Sequence, residues 1–257
     1  MLGRIAAFVY GVLSYAVFFA TFLYAIGFVG NVGVPKSLDS GASGPLSTAL
    51  LVNVALLGVF ALQHSVMARP AFKRAWTRIV PEPVERSTYV LASSVALIVL
   101  FWLWQPMGGV VWNVASLAGR VLLHAVCAAG WLTILVSTFL INHFDLFGLR
   151  QVWLHLRGRP YTQLVFRTPG PYRLVRHPLY VGWLLAFWAT PTMTVAHLVF
   201  ALLSTGYILA AIRLEEADLI RAHGESYRRY RDSVGMLVPR LRRGARAAAP
   251  RSARRAA

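Results

Sequence analysis

The chain carries long apolar runs that are almost free of charge, and each is close to the length that crosses a lipid bilayer. A helix needs about 20 apolar residues to cross the ~30 Å hydrocarbon core. Four such runs come first along the chain: Ile5–Val29, Leu46–Met67, Ser87–Trp104 and Arg120–Ile141. Of all 257 residues, 57% are hydrophobic and 14% are charged, against about 45–50% and about 25% in a soluble domain. This pattern predicts a multi-spanning membrane protein.

The last apolar block, Leu179–Ile212, is interrupted by Thr190-Pro191-Thr192. The interruption predicts two arms of a helical hairpin. The first arm is the shorter, so a tilted arm and a re-entrant arm that does not fully cross both stay open. Together the runs predict an all-α polytopic membrane bundle of about five to six spans, the last two forming the hairpin.

Residues 1–241 are predicted to form a single integral-membrane domain, and residues 242–257 a disordered basic tail. The tail consists mainly of Ala and Arg with Pro and Ser, a low-complexity composition that cannot build a packed core. The first apolar run is too long for the core of a signal peptide, so we interpret it as a retained span. Cys127 is the only cysteine, which excludes an intrachain disulfide.

The formal net charge of +17 favours a membrane surface over nucleic acid as the partner, because the cations lie between the apolar runs. Basic residues concentrate in the segments 68–86 and 142–177 and in the chain after Ile212, whereas the other loops offer Lys36 and Arg120. Cytoplasmic loops of membrane proteins carry the excess of Lys and Arg. The count therefore predicts that both termini and both basic loops are cytoplasmic, with an even number of crossings.

A candidate cofactor site lies where the last hairpin begins, at Arg176-His177-Pro178, with Tyr180 and Gly182 just beyond. Proline at the first helical position starts a helix, and the free N–H groups at that end attract anions. The alternative is that Arg176 only anchors the span among phosphate headgroups.

An acidic pair, Glu215-Glu216, follows Arg213 where the hairpin returns to the same side. Carboxylates at the hydrocarbon boundary are costly and usually have a partner. Adjacent helical residues point about 100° apart, so one glutamate can pair with arginine while the other faces a ligand cation. A purely structural ion pair is the alternative. A ligand with a carboxylate, an ammonium and a sulfonium group fits both hairpin ends, and S-adenosylmethionine has all three.

Two further polar clusters are candidates for substrate binding and catalysis. The segment Asn142–Arg150 offers Asn142, Phe147 and Arg150 for a substrate pocket, and His143 and Asp145 for catalysis. A helix cap with a surface salt bridge is the alternative there. Gln63 and His64 lie within the second span, where polar residues are costly unless they face protein or water. His64 is a candidate base and Gln63 a pocket residue, although a lone histidine in a span is more often a hydrogen-bonded packing residue. The cytoplasmic loops are expected to enclose these residues in one cofactor pocket.

At these residues the chain resembles a known group. Arg-His-Pro-Leu-Tyr-Val-Gly, a hairpin and Glu-Glu are similar to the membrane methyltransferases that include isoprenylcysteine carboxyl methyltransferase and phospholipid N-methyltransferase. The stretches Gln63–Pro70, Pro81–Tyr89 and Asn142–Leu156 resemble the methanethiol S-methyltransferase family more closely. The resemblance covers nearly all of the chain except its first 40 residues and its tail.

The resemblance implies a function and a location. It implies an S-adenosylmethionine-dependent enzyme of a bacterial inner (plasma) membrane that methylates methanethiol to dimethyl sulfide. The Arg-His-Pro turn and the acidic pair would hold the cofactor, and no metal is implied. Other acceptors stay open: a prenylated carboxylate, an amine or a larger thiol. A different class, a membrane haem or quinone protein, would use His64, His124, His143, His177 or His197.

Overall fold

The structure is a computed structural model that describes residues 1–164 and 167–240, and it is mostly helical. Helices follow in the order α1 (Leu2–Gly30), α2 (Leu46–Ala68), α3 (Pro70–Trp76), α4 (Glu82–Leu103), α5 (Leu117–Ile141), α6 (His143–Leu146), α7 (Leu149–Leu156), α8 (Pro178–Trp188), α9 (Val195–His223) and α10 (Glu225–Ser233). A 3₁₀ helix covers Gly170–Arg173, and two short strands are β1 (Val110–Asn113) and β2 (Thr192–Thr194). The predicted basic tail lies outside the described residues.

The predicted polytopic helical bundle is confirmed. Among the described residues, five helices (α1, α2, α4, α5 and α9) are long and apolar enough to cross a membrane. Large apolar side chains on their outer faces are exposed, including Leu51, Leu62, Val121 and Leu132, as expected for contact with lipid. The buried core between the helices is aromatic and aliphatic, with Phe28, Leu100, Trp104, Phe200 and Ile212 among its members.

The bundle has two ends that differ in their contacts. At one end, which we call the strand end, β1 and β2 pair as an antiparallel ribbon, and Trp104 donates from Nε1 to the carbonyl of Leu38 at 3.1 Å. At the other end, which we call the basic end, Arg69 after α2 pairs with Asp218 of α9 at 2.7 Å. The loop between α6 and α7 reaches the start of α4 there, since Gly148 lies against Ser87. The ribbon is a small departure from the all-α prediction.

The hairpin has the unequal arms that the sequence predicts. Helix α8 has 11 residues, about 16 Å at 1.5 Å per residue, which is too short to cross alone. It begins near α9 residue Glu216 at the basic end, and the extended chain after Trp188 carries it on to β2 at the strand end. The described chain thus runs between the two ends six times, once by a short helix and extended residues.

Helix α8 lies tightly against α5, and glycine allows the close approach. A Cβ on Gly182 would stand 2.8 Å from the carbonyl oxygen of Gly130 and 2.9 Å from the backbone nitrogen of Ile134. A Cβ on Gly130 would likewise meet the backbone of α8 at 2.7–2.8 Å. Small residues let membrane helices approach to backbone contact. Gly182, predicted as a cofactor-binding residue, therefore lies in the α5–α8 interface.

Candidate active site at the basic end

The Arg-His-Pro turn and the acidic pair meet at the basic end, as the hairpin prediction requires. Pro178 is the first residue of α8 and is fully buried. The Arg176 guanidinium donates from Nε to Glu216 Oε1 at 2.7 Å, and His177 Nε2 lies 3.0 Å from the same oxygen. Glu216 is thus the shared partner of Arg176 and His177.

The two glutamates have different surroundings. The side chain of Glu216 is 15% exposed, whereas that of Glu215 is 44% exposed. Glu215 accepts a hydrogen bond from the Tyr180 hydroxyl at 3.0 Å, and His177 Nδ1 is 3.9 Å away. Because Glu216 is occupied by Arg176 and His177, Glu215 is the carboxylate with room for another partner.

A segment near the end of the described chain closes over the turn, and no sequence motif predicts this contact. Arg176 donates from one terminal nitrogen to the carbonyls of Arg231 and Val234 at 2.9 and 2.6 Å. Its backbone N–H donates to Gly235 at 2.8 Å, and that of His177 donates to Met236 at 3.2 Å. We call residues 234–236 the C-terminal strap. Arg176 is therefore buried between Glu216 and the strap.

Tyrosines surround the half-exposed carboxylate. Besides Tyr180, Tyr172 of the 3₁₀ helix lies within electrostatic range of Glu215. Burial and the negative charge of Glu215 raise the pKa of Tyr172, so its hydroxyl stays protonated. Tyr180 is also within range of Tyr207 and Tyr89 on α9 and α4. The combination of a carboxylate and aromatic faces suits a ligand cation, because aromatic rings attract cations over their faces.

His64 lies in a polar cluster between α2 and α4. Its Nδ1 is 3.1 Å from Ser93 Oγ, and the Tyr89 hydroxyl is 2.9 Å from its Nε2 and 3.0 Å from its Nδ1. Phe60 stacks on the ring at 5.3 Å between centroids. Gln63 next to it donates to Met67 Sδ at 3.1 Å, while its buried Oε1 has no hydrogen-bond partner. Since Tyr89 is within range of Tyr180, this cluster adjoins the tyrosines beside Glu215.

His143 is held in an aromatic enclosure against α1. The Thr138 hydroxyl donates to the Leu135 carbonyl at 2.7 Å, so its oxygen accepts from His143 Nδ1 at 2.8 Å. The Tyr15 hydroxyl then donates to Nε2, also at 2.8 Å. Burial lowers the pKa of His143, which keeps the ring neutral. Both ring nitrogens are therefore engaged, and Phe147 covers the ring at 4.8 Å between centroids.

Asp145 and its neighbours form the cap and ion pair that the sequence left open as the alternative. The Asn142 side chain accepts from the backbone nitrogen of Asp145 at 3.2 Å. The Asp145 carboxylate pairs with Arg150 at 2.9 Å and accepts from the Tyr161 hydroxyl at 3.3 Å. Arg150 also donates to Thr162 at 2.8 Å. Asp145 therefore pairs with Arg150 and does not orient His143.

The fold and the site together define a polytopic helical membrane protein with a charged, tyrosine-lined site at one end of its bundle. Comparison with known proteins gives the family. The chain is 58% identical over 238 residues to methanethiol S-methyltransferase of Crocosphaera subtropica, covering 93% of both chains. It is 56% identical over 236 residues to the Mycobacterium tuberculosis protein of the same name, covering 92% of this chain and 97% of that one. The chain belongs to the methanethiol S-methyltransferase family.

A more distant relative lies outside bacteria. Nurim of Xenopus laevis is 32% identical over 175 residues, which is 65% of this chain and 61% of nurim. No model of a protein family matches the chain. No solved structure matches it either.

Proposed function

We propose that the protein transfers a methyl group from S-adenosylmethionine to methanethiol and so forms dimethyl sulfide. Relatives that share 50–58% of their residues with this chain carry the name methanethiol S-methyltransferase. The observation that supports the donor is the pair of glutamates. Arg176 and His177 share one oxygen of the buried Glu216 carboxylate, and the Glu215 carboxylate is half-exposed beside two tyrosines.

The residues at the basic end fit this donor. Glu215 is the acceptor for its ammonium group or the counter-charge for its sulfonium, and the faces of Tyr172 and Tyr180 suit the sulfonium. S-adenosylmethionine supplies an electrophilic methyl group on a positively charged sulfur. Arg176, His177 and Pro178 hold Glu216 and the turn in place, so we assign them to building the site. No metal enters the proposal.

His64 is the residue we assign to the thiol proton. A thiol reacts as its thiolate, so the S–H bond must break before the sulfur attacks the methyl carbon. The electron pair of the broken carbon–sulfur bond of the donor stays on the departing sulfur. His64 takes the thiol proton at Nε2, beside the hydroxyl of Tyr89 at 2.9 Å, and Tyr89 lies within electrostatic range of Tyr180 next to Glu215. His143 is a weaker candidate, because Thr138 and Tyr15 hold its ring against α1, and Asp145 is neutralised by Arg150.

The pocket residues predicted from the sequence divide into two groups. Gln63 adjoins His64, and its buried unpaired Oε1 is free to face a substrate. Asn142 and Phe147 surround His143 and Asp145, and Arg150 pairs with Asp145. We assign this second group to shaping the basic end around the site.

We further propose that the basic end faces the cytoplasm of a bacterial plasma membrane. The described chain begins at that end, where Gly158 lies beside the Arg4 side chain, and Arg240 follows the strap there. Lys36 and Arg120 are the basic residues of the strand-end loops. Cytoplasmic loops carry the excess of Lys and Arg, and six passes are consistent with both ends of the described chain lying on that side.

The test incubates membranes that contain the protein with methanethiol and S-adenosylmethionine carrying a deuterated methyl group. Headspace mass spectrometry should detect dimethyl sulfide with one deuterated methyl group, and none without the donor. A larger thiol and a carboxylic acid, each offered alone, serve as competing acceptors. Failure to form labelled dimethyl sulfide would overturn the proposal, and faster methylation of another acceptor would replace methanethiol as the substrate.

A further inference from the structure

Arg86 is a partly buried cation that meets no counter-ion in the described part of the chain. It lies in the second turn of α4 at the basic end, and its guanidinium carbon is 5.8 Å from the centre of the Tyr89 ring. Within residues 1–164 and 167–240 it makes no hydrogen bond and no ion pair. A charge taken partly out of water normally acquires a partner. An arginine left in this state at a membrane boundary is a candidate for binding an anion.

The surroundings of Arg86 are positive. His64 of α2, Lys73 of α3 and Tyr161 of the segment after α7 lie within electrostatic range of Arg86. Arg69, which follows α2, lies within range of Lys73 and Tyr89. On its own helix it is flanked by Tyr89 and by Glu85, the acidic group of this set. On the neighbouring α1, Tyr10 donates to Thr88, and Tyr207 of α9 faces Tyr89.

The positive and negative charges around Arg86 do not cancel. Arg69 is neutralised by Asp218 at 2.7 Å, which leaves Arg86 and Lys73 against Glu85. Burial, and then the charge of Arg86, lower the pKa of Lys73. The described residues around Arg86 therefore leave room for one further negative charge.

Arg86 and Glu215 give the two ends of the site opposite charges. The Tyr89 hydroxyl beside Arg86 contacts the ring of His64 at 2.9 Å. Tyr89 lies within electrostatic range of Tyr180, whose hydroxyl is bonded to Glu215. The carboxylate of Glu215 therefore lies at one end of the pair Tyr180 and Tyr89, and the guanidinium of Arg86 lies at the other end. In this arrangement a cationic donor and an anionic acceptor each find a counter-charge.

We propose that Arg86 binds the thiolate of the acceptor substrate, beside His64 and opposite the donor at Glu215. This inference rests on the proposed function. The thiol S–H bond breaks, His64 takes the proton, and the sulfur keeps the electron pair with which it attacks the methyl carbon. Arg86 stays protonated throughout. A free thiol has a pKa of about 8.5, so a neighbouring cation increases the fraction present as thiolate at neutral pH.

The experiment compares Arg86→Gln with the matched variant Arg78→Gln, which removes the same charge from an exposed residue of the same loop. Formation of dimethyl sulfide is measured from neutral to alkaline pH, and S-adenosylmethionine affinity is measured separately by calorimetry. At neutral pH, Arg86→Gln should lose roughly 10²-fold in rate, and this loss should shrink at alkaline pH, where the solvent supplies thiolate. The donor affinity of Arg86→Gln and the rate of Arg78→Gln should match the wild type.

Three results would overturn the inference. A weakened donor affinity with a loss that does not depend on pH would assign Arg86 to the carboxylate of the donor. An unchanged rate would leave it without a role in the reaction. If Arg86→Gln does not fold, Arg86→Lys retains the charge and should retain the wild-type pH profile, and a shifted profile would count against the proposal. A wild-type protein that forms no dimethyl sulfide would instead defeat the proposed function.

Discussion

Glu215 and Glu216 are adjacent carboxylates whose removal should have opposite consequences. Glu216→Gln leaves the guanidinium of Arg176, 7% exposed, without its counter-ion at 2.7 Å. Breaking a buried ion pair in this way costs roughly 3–5 kcal/mol. Glu215→Gln leaves a half-exposed site in which the Tyr180 hydroxyl still finds an amide oxygen. Its effect on folding should therefore be within about 1 kcal/mol.

The effect on cofactor binding should be the reverse. If Glu215 contacts a cation of S-adenosylmethionine, its loss removes a charge-assisted hydrogen bond of about 1.5–3 kcal/mol. That energy corresponds to a roughly 10- to 150-fold weaker Kd. Glu216→Gln should lower the melting temperature first, and its Kd should change only as far as the Arg-His-Pro turn moves. Calorimetry and thermal unfolding of the detergent-purified protein measure the two effects independently.

Tyr180→Phe is the matched control, because it removes the hydrogen bond to Glu215 and leaves the carboxylate in place. It should weaken the Kd less than Glu215→Gln does. The reasoning is refuted if Glu215→Gln binds S-adenosylmethionine with wild-type affinity while folded Glu216→Gln has lost it. That result would make Glu216 the ligand-facing carboxylate, although Arg176 and His177 already share its Oε1.

Three further outcomes are expected. His64→Ala should lose about 10²–10⁴-fold in turnover near neutral pH, while its affinity for the donor stays intact. Dimethyl sulfide assays should show that this loss becomes smaller at high pH. A loss that stays constant with pH would mean that His64 only shapes the pocket. Gly182→Ala forces a Cβ to within 2.8–2.9 Å of the α5 backbone. This substitution should destabilise the protein by about 1–3 kcal/mol or more, which a lower melting temperature would show. Gly58→Ala faces open space and should be neutral or stabilising; equal melting temperatures for the two variants would contradict the close packing. Reporter fusions at Ser40 and Arg240 should lie on opposite sides of the membrane, and a signal from the same side would disprove the six passes.

The sequence predicted the bundle well because hydrophobic run length alone decides which segments cross a membrane. The helices α1, α2, α4 and α5 match the four predicted runs, beginning up to five residues earlier, and α4 ends one residue before the predicted Trp104. Helix α8 has the 11 residues of the predicted first arm, shifted by one residue. After α8, Thr190 and Pro191 lead into β2, which begins at Thr192. That ribbon was not predictable, since its partner β1 lies about 80 residues earlier in the sequence.

The parts of the candidate site that depend on charge and sequence spacing could be predicted from the sequence. The meeting of the Arg-His-Pro turn with Glu215-Glu216 follows from the length of the hairpin, and the different surroundings of the two glutamates follow from their 100° separation on one helix. Arg86 was not predicted as a site residue, because in the sequence it is one of several arginines in the basic segment 68–86. What distinguishes Arg86 is that no described residue pairs with it, and pairing depends on tertiary contacts.

The C-terminal strap also sets the order in which the protein becomes functional during synthesis. Residues 234–236 hold the backbone of Arg176 and His177, yet they are translated after every membrane pass has been made. A nascent chain that has inserted all its helices but still keeps residue 236 within the ribosome lacks the hydrogen bonds that fix the turn. A protein truncated just after α10 would keep its membrane helices and lose these hydrogen bonds, so we expect it to insert but to be inactive.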